Sequence, residues 1–434
     1  MSKETQLTVF LAGSTVEVIS ALACISGLEI RNAVVFVERN ISFGWEAMNR
    51  LLTAARDRFP AVRFIELEIQ RPSSDEFAGR GWRSFVRRWH TTHSIRKQWD
   101  ETCRAQCGMD LAAFGGRVRE VYFTVLNDYV ITFLAACPRA IRVFYPHGFD
   151  HPRRQQVKDW PYLIRPRSIG TALGTLSLQT RHFGPGGLVV GVIGALLPGI
   201  TTVSLPFTGV NQVLTFCSGI TYIPNEVVKI PGLADIFRWL LQLPAWAGLL
   251  RERRDQSKGE SLLLLLGEYN THPIWEKNRD YGSVHRQLLQ KVSQLTGLKR
   301  IVIKAHVRSD GSAAEWLADY LKELEKGWNI EVLPLALSGL PVEALALTGE
   351  FGAACSLGSC SLPPALGFGM PHYVSPTVAA VFDKGWQGRS FWAKYEPGAR
   401  MLIAEGICLD VDRKAKEAAG NAPSFIEETR TQSM

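Results

Sequence analysis

Three short stretches of the chain gather residue types that bind phosphate or move protons. The first, "RIVIKAHVR" at Arg300 to Arg308, is a hydrophobic run that ends in Lys304, His306 and Arg308. Read as a buried strand reaching the surface, it would point all three side chains the same way, because alternate residues of a strand share a face. Cations converging at a strand end suit a phosphate; the competing reading is a satisfied surface histidine between two solvated basic neighbours. The second stretch, "EFGAACSLGSCSLPPALGFGMP", carries a strand into Ser356, Leu357, Gly358, Ser359, Cys360 and Ser361, with an apolar helix beginning near Pro363 or Pro364. Proline is tolerated in a first helical turn, and serine hydroxyls beside the backbone N–H groups of a helix start favour an anion. Ser359 or Ser361 as a plain helix cap is the alternative. The run from Gly358 to Leu362 does not fit the G-x-S-x-G of a nucleophile elbow. The third stretch, "VFYPHGFDHPRR", ends the strand "IRVFY" at Pro146, His147 and Gly148, with Asp150, His151, Arg153 and Arg154 just beyond. A histidine beside glycine at a strand end is suited to general-base work near neutral pH, and equally to bonding the backbone of its own turn.

These stretches need a scaffold that brings strand ends together, and the rest of the chain supplies the pattern for one. "LTVFLAG", a helix opening on Ser14, "NAVVFVE", the helical "GWEAMNRLLTAARDRF", "VRFIELEI", "REVYFTVLN" and "AIRVFYPHG" alternate in the first third. The pattern resumes with "SLLLLLG" at Ser261, the helix "YGSVHRQLLQKVSQLTG", "RIVIKAH", the helix "AAEWLADYLKELEKG", "IEVLPL", "FGAACSLG" and "PHYVS". Short apolar runs separated by helices of that length predict parallel, doubly wound sheets. At 434 residues the chain is too long for one comfortable core, so two Rossmann-like domains are expected. Their predicted bounds are 1–225 and 261–434, joined by a linker over 226–260. Ligands of such sheets gather outside the carboxyl ends of the strands, where all three stretches fall.

Composition narrows the class. With 46% hydrophobic and 21% charged residues the chain is globular, and disorder is excluded. A net charge of +8 agrees with an anionic partner such as a nucleotide, an acidic glycan or a lipid surface. Eight irregularly spaced cysteines make no disulfide framework, and neither Cys103 with Cys107 nor Cys355 with Cys360 has zinc-site spacing. The opening "MSKETQLTVFLAG" reads as a first strand and not as a signal peptide. Two segments stand apart. From His182 to Asn225 there is no Asp, Glu, Lys or Arg, but Pro198, Pro206 and many glycines interrupt the apolar run, so buried packing is expected over a membrane span. "RGWRSFVRRWHTTHSIRK" sets Trp82, Phe85, Val86 and Trp89 at helical spacing among arginines that include Arg87 and Arg88. Such a helix could lie on an anionic membrane, hold a polyanionic chain, or simply pack its aromatics inward.

Taken together, the order of the motifs resembles the bacterial sialyltransferases of the GT-B class, most closely the α-2,8-polysialyltransferase-like family, which uses CMP-sialic acid. The family's acidic-acidic-Gly motif would fall on Pro146-His147-Gly148, its His-Pro motif on His306-Val307, and its Ser-Ser or Ser-Thr motif on Ser359-Cys360-Ser361. Its Pro-x-Glu segment resembles "LPVEAL", with Pro341 and Glu343. The likeness covers most of the chain in motif order, with patchy identity. It implies an α/β GT-B fold of two Rossmann-like domains facing across a cleft. It also implies inverting, metal-independent transfer of a sialic or related nonulosonic acid from a CMP-activated donor to a glycan hydroxyl. Lys304, His306, Arg308, Glu343, Ser356, Ser359 and Ser361 would hold the donor, and His147 or Asp150 would take the acceptor's proton. Arg87, Arg88, Arg153 and Arg154 are the expected acceptor contacts.

No cofactor is expected beyond the CMP-sugar itself. The expected partners are a glycan or glycolipid acceptor and a peripheral membrane contact, with no nucleic acid, and the expected location is the cytoplasm at the inner face of the membrane. Three positions depart from the family: His147 stands where it has a carboxylate, Val307 where it has proline, and Cys360 where it has the second hydroxyl. The His-Gly pair also resembles the CDP-glycerol glycerophosphotransferases. A CMP-Kdo or CDP-alditol type transferase acting on a cell-surface polymer, or a catalytically inactive glycan- or membrane-binding relative, are the alternatives left open.

Overall fold

The computed structural model describes residues 6–39, 45–68, 82–124, 128–137, 139–145, 212–215, 226–229, 232–254, 259–267, 275–306, 309–358, 370–386, 395–404 and 406–420. The chain divides into two units, Met1–Ala245 and Trp246–Met434.

In the first unit, β1 (Leu7–Ala12), β2 (Ala33–Glu38), β3 (Arg63–Leu67), β4 (Val118–Phe123), β5 (Ile141–Phe144), β6 (Gln212–Thr215) and β7 (Glu226–Lys229) form one sheet. Its order is β3-β2-β1-β4-β5-β6-β7, and the pairings are parallel. Every residue of "AVVFVE" in β2 is buried, as expected where helices cover both faces of a parallel sheet. The crossing helices are α1 (Thr15–Gly27), α2 (Trp45–Arg58), α3 (Trp82–Cys107), α4 (Leu111–Arg117) and α5 (Asp128–Ala136). The basic aromatic helix foreseen near residue 82 therefore runs on to Cys107. Its second half buries Ile95, Trp99 and Cys103 at four-residue spacing and leaves Arg96 and Lys97 exposed. Trp99 packs against Phe36 and Phe133, and its indole N–H donates to the Tyr129 carbonyl at 3.0 Å. The side chains of Trp82, Phe85, Val86 and Trp89, on which the expectation rested, lie outside the described set. Gly115 is required in α4, because a Cβ there would come within 2.0 Å of the Ala136 carbonyl oxygen.

The boundaries differ from those predicted. Residues 226–260, expected as a linker, contain β7 and the helices α6 (Leu233–Gln242) and α7 (Pro244–Arg254), and the division falls in the first turn of α7, between Ala245 and Trp246. Helix α6 packs against α1 of the first unit, whereas Trp246 in α7 donates its indole N–H to the Ala336 carbonyl of the second at 3.0 Å. Four-residue strands without alternation or turn punctuation leave little trace in a sequence, which is why β6 and β7 escaped. Of the uncharged segment 182–225, only β6 lies within the described residues, between β5 and β7. Among the described residues, no helix is long and apolar enough to cross a membrane.

The second unit repeats the plan with β8 (Ser261–Leu265), β9 (Arg300–Lys304), β10 (Asn329–Val332), β11 (Phe351–Ser356), β12 (His372–Val374) and β13 (Leu409–Asp410), all parallel in the order β10-β9-β8-β11-β12-β13. Its helices are α8 (Tyr281–Thr296), α9 (Ser312–Leu324), α10 (Leu335–Ser338), α11 (Val342–Ala346), α12 (Pro376–Gly385), α13 (Tyr395–Ala404) and α14 (Val411–Gly420). Val284, Leu288 and Val292 of α8 join Leu262, Leu264, Ile301 and Ile303 of the sheet in a single buried core. A charge network clamps the edge where α7 arrives. Buried Arg253 donates to Glu350 at 2.6 Å and to Glu331 at 2.8 Å, and Arg300 reaches Glu331 at 3.1 Å.

In each sheet the first strand, β1 or β8, is flanked by the second strand on one side and the fourth on the other. Both units are thus doubly wound, Rossmann-like α/β domains. Each has a switch point, where the strand order reverses, beside its first strand.

Candidate functional site

In the second unit the switch point is the carboxyl end of β8, between β9 and β11. His306 lies two residues past the end of β9, and Ser356 is the last residue of β11. Two strand spacings, about 10 Å, separate those strands, so a ligand group over β8 has an imidazole-bearing strand end on one side and a hydroxyl-bearing one on the other. His306 is half-buried, and its carbonyl accepts from Ser309 N at 2.8 Å in the turn that leads to α9.

Lys304 is engaged within its own unit. Its ammonium donates to the Ser338 carbonyl at 2.7 Å, at the end of α10. Desolvation pushes its pKa down to about 8, opposed by the attraction of Glu343. Glu343 is 2% exposed, and the short helix that follows Pro341 presents it. The structure therefore brings together two residues expected at the donor site, Lys304 and Glu343, as charges that act on one another. A buried carboxylate is costly unless a cation stands near it, and Lys304 supplies that cation.

Ser356 is fully buried, and its hydroxyl lies 3.0 Å from Nε2 of His372 and 3.3 Å from the N–H of Gly358. His372, 2% exposed, begins the neighbouring strand β12. Gly358 has φ +144°, and a Cβ there would sit 2.9 Å from the Tyr395 carbonyl oxygen of α13. The turn that leaves β11 is held from one side by a serine–histidine pair and from the other by helix backbone. His372 has no motif around it in the sequence beyond "PHYVS", which reads simply as a strand.

His147, Asp150, Arg153, Arg154, Arg308, Ser359 and Ser361 lie outside the described residues, as do Val307 and Cys360. Arg87 and Arg88 belong to α3, but their side chains are outside the described set.

The first unit furnishes its switch point differently. Glu17, 3% exposed, accepts from the N–H of Gly13 and, at 2.7 Å, from the hydroxyl of Thr124 just beyond β4. A Cβ on Gly13 would lie 3.3 Å from Glu38 Oε2 and 3.4 Å from Glu17 Oε2, so two buried carboxylates approach the same glycine. Tyr145 donates to the Leu11 carbonyl at 3.0 Å, and burial first, then Glu17, raises its pKa well above the usual phenol value. The available signal was Ser14-x-x-Glu17, the capping-box spacing: Ser14 caps α1, accepting from Glu17 N at 3.3 Å.

A cavity of about 360 Å³ lined by Gln6, Arg31, Asn32, Arg119, Glu120 and Tyr122 among others opens at the opposite, amino-terminal end of β1 and β4. Because ligands of open α/β sheets bind at carboxyl ends, we attach no chemistry to it. Among the described residues no group of three or more His, Cys, Asp and Glu side chains could hold a metal ion. Burial pushes the thiols of Cys103 and Cys137 up to about 12, so they are packing groups and not nucleophiles.

Comparison with protein-family models gives no match, and neither does comparison with curated proteins. Solved structures give distant likenesses. The chain is similar to the crystal structure of TcCGT1 in complex with UDP at 11% identity, covering 95% of this chain and 89% of that one, with a TM-score of 0.45. It is similar to a sialyltransferase from Photobacterium damsela at 11% identity, covering 94% and 80%, with a TM-score of 0.43. It is also similar to UDP-GlcNAc 2-epimerase from Neisseria meningitidis bound to UDP-GlcNAc at 11% identity, covering 95% and 98%, with a TM-score of 0.42.

Proposed function

We propose that the chain is a glycosyltransferase of the GT-B type. In this reading it moves a sialic or related nonulosonic acid from a CMP-activated donor to a glycan hydroxyl, inverting and without a metal. The observation that carries the reading is the arrangement at the second unit's switch point: His306 follows β9 by two residues and Ser356 ends β11, the two strands flanking β8. The motif order along the chain agrees with it. A nucleotide-activated sugar already carries a good leaving group, so the protein has two tasks, to stabilise charge on the departing phosphate and to accept a proton from the incoming hydroxyl.

In this reading His306 donates a hydrogen bond to the phosphate. Lys304 contributes indirectly, by neutralising Glu343 beneath the strand end. The proton of the acceptor goes to His147, or to Asp150 in its stead. Arg87, Arg88, Arg153 and Arg154 are the proposed acceptor contacts, at the inner face of a membrane. Removing one charge-stabilising donor of this kind costs about 3 kcal/mol of barrier, on the order of a hundredfold in rate.

The test is release of nucleotide when the purified protein is incubated with CMP-sialic acid, CMP-Kdo and CDP-glycerol in turn. Turnover of CMP-sialic acid that falls about a hundredfold in His306→Ala is the expected result. No turnover of any donor, or turnover that survives His306→Ala, contradicts the proposal.

A further inference from the structure

We infer that His372 is a positioning residue for the donor phosphate, acting through Ser356 on the turn that leaves β11; this rests on the reading above. A histidine is an expensive choice for the first residue of a buried strand, because its ring nitrogens must find partners there. One of them finds Ser356: Nε2 lies 3.0 Å from the hydroxyl, and both residues are within 2% of complete burial. The same hydroxyl takes the N–H of Gly358 at 3.3 Å. A serine hydroxyl has one proton and two lone pairs, so Gly358 donates into one lone pair and the histidine fixes the direction of what remains. His372 thereby sets the Ser356 rotamer, and the rotamer sets where the Gly358 amide can lie.

Gly358 has no room to compensate for a lost partner. At φ +144° no other residue type sits comfortably, and the place of a Cβ is 2.9 Å from the Tyr395 carbonyl and 3.3 Å from Ala399 N. The turn is pinned between a polar pair and the first turns of α13, directly at the switch point beside β8. Where a phosphate is bound by groups on such a turn, a displacement of about 1 Å is enough to cost on the order of a hundredfold in rate. His372 need not touch the ligand to exert this effect.

The test is calorimetric titration of CMP into the full-length protein and into Ser356→Ala, His372→Ala, His372→Gln and the Ser356→Ala/His372→Ala double variant, with thermal melts alongside. Each alanine variant is expected to weaken CMP binding about five- to tenfold, and the double variant to be no weaker than the weaker single one. Glutamine, whose amide reaches the place of Nε2, is expected to recover most of the loss. Single effects that multiply in the double variant, unchanged affinity in His372→Ala, or a glutamine variant as weak as alanine would each overturn the inference. Should His372→Ala fail to fold, Ser356→Ala and His372→Gln decide it: weak binding by the first with near-normal binding by the second supports the coupling, and any other pairing contradicts it. A wild-type protein that binds none of CMP, CDP and UDP removes the donor-site reading itself, whereas wild-type binding with insensitive variants removes this inference alone.

Discussion

The two sheets share a strand order and are furnished in opposite ways. In the first, the carboxyl end of the switch strand meets buried carboxylates, Glu17 and Glu38, and the amino end opens into a polar cavity. In the second, the corresponding carboxyl end offers His306, Ser356 and the Lys304–Glu343 pair, while Arg253, Glu350, Glu331 and Arg300 lock the edge below. One backbone plan therefore carries buried carboxylates at this end in one unit and a histidine and a serine in the other. The lesson is that topology names the place where a ligand goes, but the side chains at the second and fourth strand ends decide its charge.

The largest effect is expected at the clamp. Arg253→Met leaves Glu350, 1% exposed, without its guanidinium, and is expected to cost the second unit about 3–5 kcal/mol. The double variant Arg253→Met/Glu350→Leu should recover much of that, since removing both buried charges is far milder than removing one. Chemical denaturation followed by tryptophan fluorescence measures both. A single variant as stable as wild type would show the clamp to be ornamental.

Acid provides the next largest effect. His285 in α8 is fully buried, and desolvation lowers its pKa from 6.5 to about 4, against the bond of Nδ1 to the Tyr281 carbonyl. The unfolded chain therefore takes up the proton first. Stability present above pH 6.5 is lost as pH falls towards 4, by on the order of 3 kcal/mol. Melting temperature against pH should show this slope in wild type and a flatter one in His285→Asn. Equal slopes in the two proteins would mean that His285 is not the group titrating.

The smallest effect belongs to the first unit. Glu17→Gln keeps an acceptor for the Gly13 amide or the Thr124 hydroxyl but not the charge that strengthens both bonds. A loss of about 1 kcal/mol in thermal unfolding is expected. A loss several times larger would mean that the carboxylate pair organises the whole end of that sheet.

Much of this architecture was legible because buried parallel strands leave continuous apolar runs. β1, β2, β8 and β9 emerge within a residue or two of where "LTVFLAG", "NAVVFVE", "SLLLLLG" and "RIVIKAH" predict them. Ser14 caps α1 as foreseen. Short strands were not legible: β6, β7 and β13 are two to four residues long and borrow their order from neighbours. At the site, strand ends could be read but side-chain direction could not. Lys304 sits at its predicted strand end and still turns to Ser338 and Glu343, because a short helix some forty residues downstream supplies a carboxylate that needs it. His372 and Glu17 were missed for the same reason, since their partners Ser356 and Thr124 are remote in sequence or on another strand.

The proposed nucleotide site is the switch point of the second unit and not that of the first. Titration of CMP into His306→Ala and Glu17→Gln, side by side with the unaltered protein, addresses it most directly. Affinity reduced at least tenfold by the first substitution and unchanged within about twofold by the second is the expected result. Normal binding by His306→Ala, with binding abolished in Glu17→Gln, would contradict it.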